Sequence, residues 1–69
     1  MTPFNESLNR RLRDIPYQHY KLTINALAQY CNVSKNVIYN WRTGRTYIRR
    51  RYCEKIEEFF NERIFDQTR

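Results

Sequence analysis

The sequence predicts an all-α fold, a small bundle of four or five helices. Apolar residues recur at helical spacing, as in Phe4, Leu8, Leu12 and Ile15. Long β-branched runs are absent, and helix formers such as Arg, Glu, Leu and Gln run throughout. A single Gly and two Pro in 69 residues leave few points where a helix must stop. The length allows one domain, residues 1–69, close to the lower limit for folding on one hydrophobic core.

The first helix is expected over TPFNESLNRRLRDI. Thr2 can cap it and Pro3 suits its first turn, where a missing N–H costs nothing. Arg10, Arg11 and Arg13 fall off its apolar stripe, and Pro16 ends it. YQHYKL then reads as a connection, with Tyr17, Tyr20 and Leu22 lying across the core. His19, the only histidine, has no nucleophile or metal partner nearby in sequence and reads as a surface or hydrogen-bonded residue. Thr23 is the expected N-cap of a second helix, INALAQYC, whose inward residues are Ile24, Leu27, Ala28 and Cys31.

Asn32 tolerates the left-handed conformation that closes a helix, Val33 turns inward, and Ser34 caps a third helix, KNVIYNWR. Gly44 ends that helix. A fourth is expected over about 49–62, with Tyr52, Cys53, Ile56, Phe59 and Phe60 inward. The tail NERIFDQTR either extends it or frays.

Two helices joined by so short a turn must cross at roughly 90–120°. Such a crossing needs a small residue at the contact, here Ala28. It needs a sharp backbone turn, here Asn32. It also needs apolar plugs, here Leu27, Cys31, Val33, Ile38 and Trp41. On these residues the segment Ile24–Thr43 resembles the helix-turn-helix of the phage repressor and Cro-like family. The matching features are Leu27-Ala28 in the first helix, Asn32-Val33 at the turn, and Ile38 and Trp41 five and eight residues after Val33. The resemblance implies a lambda-repressor-like domain with its helix-turn-helix core at about 23–43. Three features differ from the family pattern. Asn32 stands where Gly is usual. Ile24 stands where many members carry a phosphate-binding Gln, which removes one backbone contact. The connection from Ile15 to Leu22 is longer.

The third helix carries the functional expectation. At about 100° per residue, Val37, Ile38 and Trp41 share one side, which makes Trp41 a core plug and not a base-stacking platform. Asn36, Tyr39 and Thr43 point away, flanked by Lys35, Asn40 and Arg42. No acid occurs from Lys35 to Cys53, whereas an ordinary solvated face mixes Glu with Lys. Such a face suits the major groove of double-stranded DNA. Asn can bond adenine bidentately, Lys can reach guanine, and Tyr can meet a thymine methyl or a phosphate. Lys35, Asn36, Tyr39, Asn40 and Thr43 are therefore the expected base-reading residues. Ser34, Arg42, Arg45, Tyr47, Arg49 and Arg50 are the expected phosphate contacts, with Arg51 beside them. For Tyr47, packing under its loop is the alternative.

Charge agrees with that partner. Net charge is +6, and its distribution is uneven: ten basic and two acidic residues through Cys53, three basic and five acidic from Glu54 onward. A polyanion would meet the first part and avoid the second. Glu54, Glu57, Glu58 and Glu62 read as a solvated face. The competing reading is a protein-interaction module whose basic face meets an acidic regulator or polymerase. RNA binding and sequence-neutral packaging rank lower, because RNA-binding sheets are missing and packaging would favour Lys and Arg over Asn and Tyr.

No stretch approaches the roughly 20 apolar residues of a membrane span, so a cytoplasmic protein is expected. Cys31 and Cys53 fall at core-facing positions and read as buried thiols. Two Cys and one His fall short of the about four ligands zinc requires, and no phosphate loop or nucleophile–base pair is visible. No enzyme activity, cofactor or small-molecule substrate is expected. Specific binding by so small a module usually needs two copies. Phe59, Phe60, Ile64 and Phe65 at the C-terminal helix either form a homodimer surface or, through Ile64 and Phe65, fold back to close the core.

Overall fold

The computed structural model describes residues 3–65. Four helices and no strand occur among them: α1 (Pro3–Arg13), α2 (Tyr17–Cys31), α3 (Lys35–Thr43) and α4 (Arg50–Phe60). The expected cap at Thr2 and the last tail residues lie outside the described residues.

The first helix forms as its stripe predicts. Leu8 and Leu12 are buried, Phe4 and Ile15 half-buried. Its Glu6 lies in the first turn and its three arginines in the last, the arrangement that the helix macrodipole favours.

The expected connection YQHYKL is instead helical. α2 starts directly after Pro16, so only Asp14, Ile15 and Pro16 join the first two helices. Nothing between Tyr17 and Cys31 breaks a helix, and Tyr17, Tyr20, Ile24, Leu27, Ala28 and Cys31 keep helical spacing throughout. Thr23 consequently lies inside the helix and caps nothing. Its hydroxyl donates to the carbonyl of His19 one turn back, at 2.9 Å. Of the residues expected across the core, only Tyr20 packs on it, while Tyr17 and Leu22 stand in solvent.

Three helices end alike. Asn32, Gly44 and Asn61 adopt left-handed conformations at φ 59°, 82° and 55°. In each case the next amide reaches back to a carbonyl of the last turn: Val33 to Ala28, Arg45 to Asn40, and Glu62 to Glu57. Asn32 thus replaces the usual Gly at the tight turn, as Asn's tolerance of this region allows. Asn61 settles the tail. It stops α4 at Phe60, and the chain returns.

That return completes the core. The Glu57 carboxylate accepts hydrogen bonds from the amides of Ile64 and Phe65, each at 2.9 Å. Glu57 is therefore half-buried and structural, not part of a solvated acidic face as expected. Phe65 is fully buried and packs edge-on against Phe4, with ring centroids 5.7 Å apart. Phe65 is thus withdrawn from the expected homodimer surface, because its ring closes the core of its own chain. An ion pair from Arg11 to Glu62 secures the same corner, with the Arg11 guanidinium 4.5 Å from the Phe60 ring centre.

Around this frame, Leu8, Leu12, Ile24, Leu27, Ile38, Trp41, Ile48, Ile56 and Phe65 form the centre of one core. Cys31 and Cys53 are free and buried within it. Burial pushes the Cys31 thiol up to about 11, with Lys55 pulling slightly the other way. The Tyr30 hydroxyl is also raised, chiefly by its 2.9 Å hydrogen bond to the Glu58 carboxylate.

Candidate nucleic-acid interface

The helix pair α2–α3 meets across Asn32, Val33 and Ser34. Ala28 is buried where the helices approach, Ile38 and Trp41 plug the junction from α3, and Trp41 packs on Tyr52 of α4 at 5.0 Å. These contacts hold one side of α3 against the core and turn the other outward.

On the outward side, Lys35, Asn36 and Thr43 are exposed, and Tyr39 and Asn40 are half-buried along its edges. The Thr43 hydroxyl donates to the carbonyl of Tyr39 at 2.9 Å, which leaves its methyl and its oxygen lone pairs for a ligand. Ser34 stands at the helix start with extended backbone, yet its hydroxyl makes no cap bond. The Val37 amide bonds the Ser34 carbonyl at 3.1 Å instead, and no acid occupies the first turn.

A second basic group borders this face. Arg45, Arg49, Arg50 and Arg51 are exposed in the α3–α4 connection and at the start of α4. Arg51 leans on Tyr52, its guanidinium 4.9 Å from the ring centre. Tyr47 is 78% exposed, which excludes packing beneath the loop. Arg42 is half-buried and lies over the ring of Tyr20 at 5.9 Å. α4 begins with arginines and without an acid, opposite to what its macrodipole favours and opposite to α1. Placing cations there costs stability unless an anion joins them.

One residue of consequence has no place in the sequence expectations. Asn5 is buried on α1, and its Nδ2 donates to the carbonyls of Trp41 at 2.6 Å and Thr46 at 3.1 Å. It fastens the end of α3 and the arginine-bearing connection to the first helix. Its spacing from Leu8 and Leu12, at i+3 and i+7, was the available signal. Tyr20, expected across the core, packs on it from α2 and lies under the Arg42 guanidinium.

Two helices joined through a left-handed Asn32, the second with a donor-rich outer side, define a helix-turn-helix domain. A family model for the Cro/C1-type helix-turn-helix matches residues 17–66, and the chain belongs to that family of DNA-binding transcription regulators. The match opens where α2 opens. No curated protein and no solved structure matches the chain. Among the described residues, no group of His, Cys, Asp and Glu could hold a metal ion, and no helix is long and apolar enough to cross a membrane.

Proposed function

We propose that this chain is a sequence-specific double-stranded DNA-binding regulator of transcription, of phage or bacterial type. Lys35, Asn36, Tyr39, Asn40 and Thr43 read bases in the major groove. Ser34, Arg42, Arg45, Tyr47, Arg49 and Arg50 hold the phosphates. The observation that carries this reading is the outward face of α3, free of acid and bordered by exposed arginines at an electrostatically unfavoured helix start.

The test is selection from a random duplex pool at about 150 mM salt, a concentration at which phosphate contacts alone bind weakly. An enriched motif supports base reading. Binding without enrichment replaces it with sequence-neutral packaging. No binding returns the domain to the protein-interaction reading. An enriched palindrome adds a homodimer, whose spacing reports how two copies sit. With Phe65 inside, the remaining apolar edge for a second copy is half-buried Phe59, 5.7 Å from the exposed ring of Tyr30, with Phe60 and Ile64 beside it.

A further inference from the structure

From Leu22 onward, the solvent side of α2 carries no charge. Burial accounts for Ile24, Leu27, Ala28 and Cys31, which face the core. The outward positions are free to take charged residues, yet none occurs from Leu22 to Ser34 in a chain that is 29% charged. They hold Leu22, Asn25, Ala26, Gln29 and Tyr30, all exposed. Leu22, Ala26 and Tyr30 recur at i, i+4 and i+8, which aligns them on one strip of the helix. Leu22 is 70% exposed and Tyr30 44%. An uncharged surface that shows Leu and Tyr has the composition of an interface core, where charged residues are depleted and aromatic ones enriched.

Two features choose the occupant. The strip is symmetric about Ala26, because Leu22 and Tyr30 stand about one turn to either side, each about 6 Å away along the axis. A second copy running antiparallel therefore sets its Tyr30 on Leu22 and its Leu22 on Tyr30. Ala26 meets Ala26 where the helices come closest, and a small residue there permits the approach. The strip is also a surface on which two copies of a +6 chain meet without setting like charges against each other. Tyr30 is held in place before any partner arrives. Its ring meets Phe59 edge-on at 5.7 Å, its hydroxyl donates to the Glu58 carboxylate at 2.9 Å, and Lys55 Nζ lies 5.6 Å from the ring centre. A side chain already fixed loses little freedom on binding.

We propose that this strip joins two copies of the chain, α2 against α2 in antiparallel register, with Ala26 on the two-fold axis. The homodimer surface then lies on α2, with Phe59 of α4 at its border, and not on the C-terminal edge of Phe60 and Ile64. The pairing adds apolar burial to a domain whose own core is near the lower limit of size. It is a property of the free protein, so its failure is separate from any failure of the DNA-binding reading.

Sedimentation equilibrium of the full chain without DNA is the test, at about 10 µM to about 1 mM, the range in which a small interface dissociates. The wild type is expected to reach twice the 8.7 kDa mass of one chain. Leu22→Glu, Tyr30→Arg and Ala26→Arg are each expected to weaken association by roughly tenfold or more. Their helix content by circular dichroism should match the wild type, because all three positions are exposed in the single chain. Mixing two variants reads the register. Leu22→Glu and Tyr30→Arg chains together set the new acid of one opposite the new base of the other, and leave the remaining Tyr30 on the remaining Leu22. The mixture is therefore expected to pair, although neither variant pairs alone. A wild type that stays monomeric overturns the second copy as occupant and leaves the strip to a different protein. A dimer untouched by Leu22→Glu and Ala26→Arg also overturns the proposal and puts the second copy on the Phe60–Ile64 edge. Single variants that lose pairing, in a mixture that does not recover it, rule out the antiparallel register.

Discussion

Asn5 is the one buried polar side chain among the described residues, and it reaches across from α1 to two carbonyls near the end of α3. Asn5→Ala removes both bonds, although the Trp41 carbonyl keeps the Gly44 amide, and should cost about 1–3 kcal/mol in urea unfolding. It should also weaken DNA binding, because the connection carrying Arg45 loses its anchor. A variant with unchanged stability would reduce the two bonds to incidental contacts. Asn36 differs in kind: exposed and outward, it can matter only to a ligand. Asn36→Ala should leave melting alone and cost about 1–3 kcal/mol of discrimination between the selected site and a scrambled one. Equal losses on both duplexes would remove it from the base-reading set.

At the scale of the element, α1 and α4 make an instructive pair. α1 places acid first and arginine last, and α4 starts with Arg50 and Arg51 behind a cap residue, Arg49, that is itself basic. The first order lowers energy and the second raises it. Arg50→Glu should therefore stabilise the free domain by about 0.3–1 kcal/mol at low ionic strength. The same change should weaken binding to every duplex and flatten its salt dependence. Both shifts are read from one variant, by thermal melting and by titration over several salt concentrations. Unchanged affinity would take the start of α4 out of the interface.

For the whole molecule, the core is closed only when the chain returns past Asn61 and Glu57 grips the amides of Ile64 and Phe65. Cys31 sits within that closed core, and its thiol titrates near 11 in the fold against 9.0 as its ordinary value. A raised folded value means that the unfolded chain loses the proton first. Stability is full below about pH 9 and falls as pH rises toward 11. The Tyr30 hydroxyl, raised by Glu58, adds a decline of the same sign at higher pH. Urea midpoints between pH 8 and pH 11 should drop, and Cys31→Ala should flatten the earlier part of that drop. A midpoint that stays level would show the thiol exposed to solvent.

Much of this protein was legible in its sequence because local rules decide it. The stripe of Leu8 and Leu12, the left-handed Asn32 and Gly44, Ala28 at the crossing, and the burial of Ile38 and Trp41 all follow from periodicity and backbone sterics within a few residues. So does the exposure of Lys35, Asn36 and Thr43 on α3, whereas Tyr39 and Asn40 are half-buried at its edges. What escaped depends on neighbours distant in sequence. Thr23 resembles a cap, but α2 continues through it because its core-facing stripe runs back to Tyr20. Asn5 looks polar and exposed until Trp41 and Thr46 come within reach. Glu57 looks solvated until the tail returns to its carboxylate. The sequence by itself determined which helices form and which face of α3 looks outward, because those choices rest on spacing and local conformation. Only the tertiary structure decided where Phe65 goes and which polar groups find partners, because those choices depend on atoms that folding alone brings together.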